Sequence, residues 1–407
     1  MAEIEKPIPT INRPLTPEQE TDLVISETEE VKTSPTEVTE NEDGSVDINF
    51  DPTKDLSGQT EFNANLAEVI EEQVLGRLGS ELYQDCQSYK DSRADWEKAY
   101  TQGLDLLGFK YESRTEPFQG ASSATHPVLA EAVTQFQALA YKELLPAEGP
   151  VRTQVVGMTT PEIEDQAERV SEFMNYQIMD VMKEYEPEFD QMLFYLPLSG
   201  STFKKVYYDE ILGRAVSKFI QAQDIIVPYT ATSLEDAESI IHVIKISENE
   251  LRKQQVAGFY RDIELKASDE LTQDDDVKSK ERQLEGVTMS GQTEDVFTLL
   301  ECHVNLDLEG FEDKDSNGEP TGIKLPYIVT IEEGSREVLS IRRNYSEADP
   351  KKQKIQYFVH FKFLPGFGFY GNGLIQMIGG LSRTATQALR QLLDAGTLSN
   401  LPAGFKQ

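Results

Sequence analysis

The spacing of apolar residues changes twice along the chain, and each change marks a predicted structural region. From Glu61 to about Leu198, apolar positions recur every three or four residues, which is typical of helices that bury one face. One of these helices has a defined start, because Thr160 suits the N-cap and Pro161 suits the first helical position. After Gly200 the period shortens to two in runs rich in Val, Ile, Phe and Tyr, which predicts strands. The predicted strands are 202–209, 216–220, 225–228, 240–246, 296–308, 323–331, 338–342 and 355–363, with a short helix at 248–256 and a surface loop at 266–292.

The chain closes with a predicted helix that carries a heptad-like row of apolar or small residues. Their alternating steps of four and three are typical of the seam of a helix that packs lengthwise on another helix. The predicted packing residues are Leu374, Ile378, Leu381, Ala385, Ala388 and Leu392. Arg383 and Arg390 lie seven residues apart on the opposite side, which either meets solvent or lines something. Helices, then strands, then a final helix predict an α+β fold.

Composition adds an acidic arm at the N-terminus. The formal net charge is −34, and residues 1–58 carry fifteen acidic and four basic side chains with no aromatic residue before Phe50. Such a segment cannot bury enough surface to offset the entropy of ordering it, so we expect a disordered arm. The alternative is a docking tail for a basic partner. The charge also argues against a protein that grips nucleic acid, although an acidic conduit would let DNA pass by repelling it.

A glycine-rich turn precedes the final helix and allows two interpretations. Gly366, Gly368 and Gly371 match the G-x-G-x-x-G pattern of a dinucleotide site, which would make the chain a nucleotide-dependent enzyme. Aromatic residues crowd this loop, however, and no strand follows the helix to present an acidic side chain. The favoured interpretation is a sharp turn at Gly366, Gly368, Gly371 and Gly373, with the aromatic rings packed beneath it.

Signatures of catalysis or metal binding are weak throughout the chain. There is no nucleophile elbow and no P-loop, so we predict no enzyme and no cofactor. The run from Asp313 to Gly318 imitates the start of a calcium loop, but Lys324 stands where a bidentate Glu belongs, which favours a hairpin turn. Cys86 and Cys302 are predicted to be two unpaired thiols. No run of residues is apolar enough to predict a signal peptide or a membrane span.

Several segments together resemble the portal proteins of short-tailed double-stranded DNA bacteriophages, also called head-to-tail connectors. The likeness covers residues 60–407 and depends on the order of the segments, since none of them is a catalytic signature. The segments are YLPLSGSTFKKVYYD from Tyr195, IVPYTATSLEDAESIIH from Ile226, LPYIVTIEEGSREVLSIRRNY from Leu325, FVHFKFLPGFGFYGNGL from Phe358 and LLDAGTLSNLPAGFK from Leu392.

The resemblance implies a division of the chain into five regions. They are a disordered acidic arm (1–58), a helical part of the wing (59–200), a β-rich wing domain (201–363), a glycine turn with a stem helix beside the channel (364–396) and the start of a terminase- and tail-facing segment (397–407). Portals of this type continue through a returning stem helix, a tunnel loop and a crown, so the sequence is expected to be a piece of a longer protein.

The resemblance also implies a function and partners. Portal proteins form rings, typically of twelve subunits, at one capsid vertex, where DNA passes during packaging and ejection. The implied partners are further copies of the chain, the large terminase, the major capsid and scaffolding proteins, tail or head-completion proteins, and transiently the viral DNA. The implied location is the virion, with the host cytoplasm during assembly. Arg383 and Arg390 become candidate channel-facing residues. A second alternative is another virion assembly protein, such as a scaffold or minor capsid protein.

Overall fold

The computed structural model describes residues 37–40, 46–49, 61–109, 118–209, 212–265, 276–286, 296–314 and 319–400. The chain divides into two compact units, Met1–Lys54 and Asp55–Gln407. In the first unit, strand β1 (Glu37–Glu40) pairs antiparallel with strand β2 (Val46–Asn49). The rest of the predicted acidic arm lies outside the described residues.

Among the described residues 61–109 and 118–200, five α-helices precede the sheets, in agreement with the helical period of the sequence. Helix α4 starts as predicted, because the Thr160 hydroxyl accepts a hydrogen bond from the Ile163 N–H and Pro161 occupies the first turn. Helix α5 ends at Gly200, whose φ of 83° is the left-handed conformation that glycine adopts without strain. The helices are α1 (Glu72–Ser92), α2 (Ala94–Leu104), α3 (Val128–Leu144), α4 (Pro161–Tyr176) and α5 (Tyr185–Ser199).

In the described ranges of the second unit, eight strands form two antiparallel sheets. Three strands pair in the order β10–β3–β4, and five pair in the order β5–β6–β7–β8–β9. The strands are β3 (Ser201–Asp209), β4 (Arg214–Gln221), β5 (Ile225–Ile226), β6 (Ser239–Ser247), β7 (Val296–Leu306), β8 (Leu325–Glu332), β9 (Val338–Arg343) and β10 (Phe358–Lys362). Strands β7 and β8 are paired neighbours, which confirms the predicted hairpin; residues 315–318 of its connection lie outside the described residues.

Two further helices lie among the strands. Helix α6 (Glu248–Val256) confirms the predicted short helix, with Ser247 as its side-chain cap. The prediction of a surface loop from Lys266 to Gln292 is wrong for residues 276–285, which form helix α7 (Asp276–Glu285). Val277 and Leu284 of this polar helix join the apolar core around Tyr100, and two apolar positions are too few to reveal a helical period in the sequence.

The larger sheet packs against α1 and forms the largest apolar core. Leu75, Leu82 and Cys86 of α1 meet Cys302 and Val329 of the sheet. Cys86 and Cys302 are free thiols, as predicted, and burial raises the pKa of Cys86 to about 11. The thiols therefore act as small apolar core residues.

A partly buried ion pair joins the two sheets. The Lys205 ammonium lies 2.6 Å from both carboxylate oxygens of Glu301, and His303 Nε2 lies 2.8 Å from Glu301 Oε1. Burial alone would raise the pKa of Glu301, but Lys205 and His303 outweigh it and hold the pKa well below its usual value. Removing Lys205 would leave the Glu301 carboxylate without its ion-pair partner, so this pair helps to hold the two sheets together.

The last helix, α8 (Leu374–Asn400), follows β10 after the glycine turn. Element ends fall near the predicted region boundaries, since α5 ends at Ser199 and β3 begins at Ser201. The division of residues 59–407 into separate domains stays a prediction, because 55–407 form one compact unit.

Candidate assembly interface along the C-terminal helix

The turn before α8 crosses the end of α5 at backbone contact distance. A Cβ atom on Gly371 would lie 2.4 Å from the Gly200 carbonyl oxygen, and one on Gly373 would lie 2.4 Å from the Leu198 carbonyl oxygen. Real Cβ atoms do not approach backbone atoms this closely, so both positions require glycine. The start of α8 is thereby fixed against the end of α5.

The other two glycines of the predicted turn are less constrained. A Cβ on Gly366 would meet the Tyr370 carbonyl oxygen at 3.0 Å, and one on Gly368 would meet nothing within 4 Å. The space beside Gly371 and Gly373 is filled by the protein's own backbone, which leaves no room there for a pyrophosphate. This packing argues against the dinucleotide interpretation.

The aromatic residues of the turn have different environments. Phe369 is buried, and Tyr370 stacks on Trp96 with ring centroids 4.7 Å apart. Phe367, in contrast, is fully exposed. The Tyr370 hydroxyl also accepts a hydrogen bond from the buried Arg93 guanidinium at 2.9 Å and donates one to the Ile225 carbonyl at 2.8 Å. Phe369 and Tyr370 therefore pack beneath the turn as predicted, and the prediction is wrong for Phe367.

A buried hydroxyl links the turn to the smaller sheet. Ser201 Oγ accepts a hydrogen bond from the Gly371 N–H at 2.7 Å and lies 3.1 Å from His360 Nε2. Burial, with Lys362 adding to it, lowers the pKa of His360 to about 3, so this imidazole is neutral near pH 7. The Gln376 side chain accepts from the Gly373 N–H at 2.9 Å and caps the start of α8.

One face of α8 packs on its own chain through small residues. Ile375, Gly379, Ser382 and Thr386 are buried on this face. A Cβ on Gly103 of α2 would lie 2.3 Å from the Ile375 side chain, so α2 and α8 approach closely at this point. Gly379 packs beside Leu106, whose side chain would lie 3.3 Å from a Cβ at this position.

Further along α8, three polar residues at four-residue intervals hold residues 121–126. Thr386 Oγ1 accepts a hydrogen bond from the His126 N–H at 3.1 Å. Arg390 Nε donates to the Ala124 carbonyl at 2.7 Å. Asp394 Oδ1 accepts from the Ser122 N–H at 2.6 Å. Sequence reasoning missed this anchor, although residues spaced by four share one helix face and could have suggested it.

The predicted packing row is divided between the chain's own core and the surface, since Leu374 and Ile378 pack against the apolar core around Tyr100. Leu381 is 67% exposed and Leu392 is 72% exposed. Ala388 is also exposed, whereas Leu374, Ile378 and Ala385 are half-buried. Large exposed apolar side chains in a row are typical of a surface that another helix covers.

The two arginines that were predicted to face a channel have different surroundings. Arg383 is exposed, whereas Arg390 is half-buried and bonded to residues 124 and 125. Arg390 therefore holds residues 124 and 125 of its own chain against α8. A channel-facing role stays a prediction for both arginines.

Neither a metal site nor a membrane helix is found in the part of the chain that the structure describes. No three His, Cys, Asp or Glu side chains in these ranges are grouped so that they could hold a metal ion. No helix in the same ranges combines the length and apolar character needed to cross a bilayer.

The fold and this interface define a structural assembly protein, with a terminal helix anchored on one side and uncovered on another. Residues 205–405, about half of the chain, match the family model described as phage SU10 portal protein. The chain belongs to the phage portal proteins, a structural family whose members form ring oligomers in phage capsids. The curated proteins contain no match to the chain.

Proposed function

We propose that the chain is one subunit of a ring-shaped channel at a single capsid vertex, through which viral double-stranded DNA passes during packaging and ejection. The observation that carries this proposal is the uncovered row on α8. The family match extends through this helix, so the row belongs to the part of the chain that is similar to a phage portal.

The packing of α8 suits side-by-side assembly around an axis. Its buried face and the 121–126 anchor fix the helix to its own subunit, which leaves the row of Leu381 and Leu392 for other helices. Closed rings form when one surface of a subunit binds a different surface of the next. The proposed subunit contacts are Leu374, Ile378, Leu381, Ala385, Ala388 and Leu392. Twelve subunits are proposed from the resemblance.

The net charge of the chain supports a channel to which DNA does not bind tightly. A formal charge of −34 disfavours tight DNA binding, because such binding needs cations that neutralise phosphates. On α8 the exposed Arg383 supplies a single site for transient contact. Contact with DNA is therefore proposed to be non-specific and brief.

The ring is also proposed to be a docking platform. Its partners would be the large terminase, the major capsid and scaffolding proteins, and tail or head-completion proteins. The proposed terminase- and tail-facing segment, 397–407, is described only as far as residue 400. The family places the protein in the virion, and the host cytoplasm during assembly is a proposal.

Ring formation is tested by Leu381→Asp, with Gln387→Asp as the control on an exposed polar position of the same helix. A charge placed in the row should lower the oligomer mass measured by light scattering, whereas the control should keep the mass of the unsubstituted protein. Equal masses for all three proteins would remove α8 from the subunit interface.

DNA transit is tested separately in particles. The phage that encodes the chain would carry Arg383→Glu, and Lys324→Glu on the exposed surface of the sheet region would serve as the control. The proposal predicts a lower packaged DNA content or slower ejection for Arg383→Glu alone, at equal ring content. Identical DNA content and ejection for both variants would exclude contact between DNA and this side of α8.

A further inference from the structure

Helix α7 depends on its docking contacts for its stability. Val277 is fully buried, and Leu284 packs against the same apolar core around Tyr100. At the rim, Lys280 forms an ion pair of 2.6 Å with Asp105 of the turn after α2. A helix of 10 residues is too short to persist in water alone. The helical conformation of α7 therefore depends on its being docked.

A carboxylate lies inside this docking surface. Glu281 Oε1 lies 3.5 Å from the Tyr100 hydroxyl of α2, and Glu281 Oε2 lies 3.5 Å from Gln223 Nε2 in the turn before β5. Both distances are at the long end of the hydrogen-bond range, so these neutral donors stabilise a full negative charge only weakly. The docked position thus suits the neutral carboxyl better than the carboxylate.

Further acidic groups face Glu281 from the elements around it. Asp224 and Glu285, the latter one turn further along α7, repel its negative charge. Lys278 opposes them, although its ammonium also lies 2.6 Å from Asp224. Tyr195 of α5 adds a phenol that is neutral near pH 7, because burial raises its pKa. Burial, together with the repulsion, raises the pKa of Glu281 to about 7.

An aromatic stack connects this carboxyl group with the turn before α8. The ring of Tyr100 stacks on Trp96 with centroids 5.7 Å apart, and Trp96 stacks in turn on Tyr370 of the glycine turn at 4.7 Å. Tyr100 and Val277 also share an apolar core with Ile375 in the first turn of α8. Displacement of α7 would therefore open the core on which the start of α8 packs.

We propose that α7 is a pH-sensitive strap, docked while Glu281 is neutral and released when Glu281 ionises, and that its release loosens the packing at the start of α8. The docked state binds the proton more tightly than the released state. Proton binding therefore supports docking fully below pH 4.5, and this support is lost as the pH rises through about 7. The inference concerns a single subunit, so it does not depend on the proposed ring.

Fluorescence of Trp96, the single tryptophan of the chain, tests the inference. The emission maximum of the full-length protein is measured from about pH 5 to about pH 9, the range in which the carboxyl should titrate. We expect a shift to longer wavelength with a midpoint near pH 7, because release of α7 exposes the stack to water. Glu281→Gln should keep the low-pH spectrum throughout. Lys280→Gln is the control on the same helix and should keep the shift.

Hydrogen exchange of residues 374–380, measured over the same pH range, tests the effect on α8. Faster exchange of these residues with the same midpoint is the expected result for the unsubstituted protein, and Glu281→Gln should remove it. A constant emission maximum, or constant exchange of 374–380, would overturn the link between α7 and α8. Equal shifts in the unsubstituted protein and in Glu281→Gln would overturn the role of this carboxyl, because another group would then be titrating.

Discussion

The Asp394 carboxylate accepts a hydrogen bond from the backbone N–H of Ser122 over 2.6 Å, and so joins the later part of α8 to residues that precede α3. The two residues are 272 positions apart in the sequence. Together with Thr386 and Arg390, this contact holds α8 on its own subunit along a stretch where the apolar row is uncovered.

Asp394→Asn should loosen residues 121–126, because the amide accepts the Ser122 hydrogen bond without a full charge. We expect the free energy of unfolding to fall by about 1 kcal/mol. Faster hydrogen exchange of 121–126 should accompany the loss. Gln391→Asn, on an exposed position of the same helix, should leave this exchange unchanged; equal effects of both substitutions would exclude the anchor.

Gly373→Ala should destabilise the unit, because the added Cβ would meet the carbonyl oxygens of Leu198 and Pro197 and the Gly200 nitrogen, all backbone atoms. We expect a loss of about 1 to 3 kcal/mol in urea unfolding. Gly380→Ala is the matched control on α8, since its Cβ would meet nothing within 4 Å. Alanine should stabilise that helical position by about 1 kcal/mol. If both substitutions changed the free energy of unfolding in the same direction, the described crossing of the glycine turn with the end of α5 would be contradicted.

Glu281 should make α7 sensitive to pH. Burial raises its pKa from 4.5 to about 7, with Asp224 and Glu285 adding to the shift and Lys278 opposing it. The native state then binds the proton more tightly than the unfolded state, so this contribution to stability is present below pH 4.5 and is lost as the pH rises through about 7. Hydrogen exchange of 276–285 should accelerate over this range.

Glu281→Gln should remove much of that pH dependence, because its amide does not ionise. The control is Lys280→Gln, on the same helix, which removes the ion pair between Lys280 and Asp105. This variant should keep the pH dependence of the unsubstituted protein. An unchanged pH profile for Glu281→Gln would contradict the assignment to this carboxyl.

Lys204 should make the free energy of unfolding rise with pH in the alkaline range, which is opposite in sign to the effect of Glu281. Its ammonium is buried 3.9 Å from the centroid of the Tyr185 ring, with no hydrogen-bond partner in the described ranges. Burial lowers its pKa from 10.5 to about 8, so the unfolded state binds the proton more tightly and stability rises between those values.

The measurement for Lys204 is urea unfolding at a series of pH values. The free energy of unfolding of the unsubstituted protein should rise relative to that of Lys204→Met as the pH increases from about 8 to 10.5. Lys218→Met, on an exposed position of β4, should show no such trend. The same trend for both substitutions would mean that it reflects the loss of a positive charge at any position, and not the burial of Lys204.

The sequence could predict the elements that repeat a local pattern. The strand predicted at 202–209 is β3, and the Thr160 cap and Pro161 start are found as predicted, because both depend on neighbouring residues. The exposed row of α8 follows from its spacing. Helix α7 could not be predicted, since two apolar residues define no period. The four-residue spacing of Thr386, Arg390 and Asp394 could have suggested a shared contact face on α8. Their partners before α3, and the crossing of the glycine turn with Gly200, lie in distant parts of the chain and have no local signal in the sequence.

We propose above that this chain assembles into a ring, and the α8 helices of that ring would surround a central hole. Cryo-electron microscopy of the assembled full-length protein tests it most directly. We expect a closed ring with a central hole, in which α8 of every subunit lies beside that hole and the row of Leu381 and Leu392 is covered. A monomer or dimer, a particle without a hole, or a ring with α8 on its outer rim would contradict it.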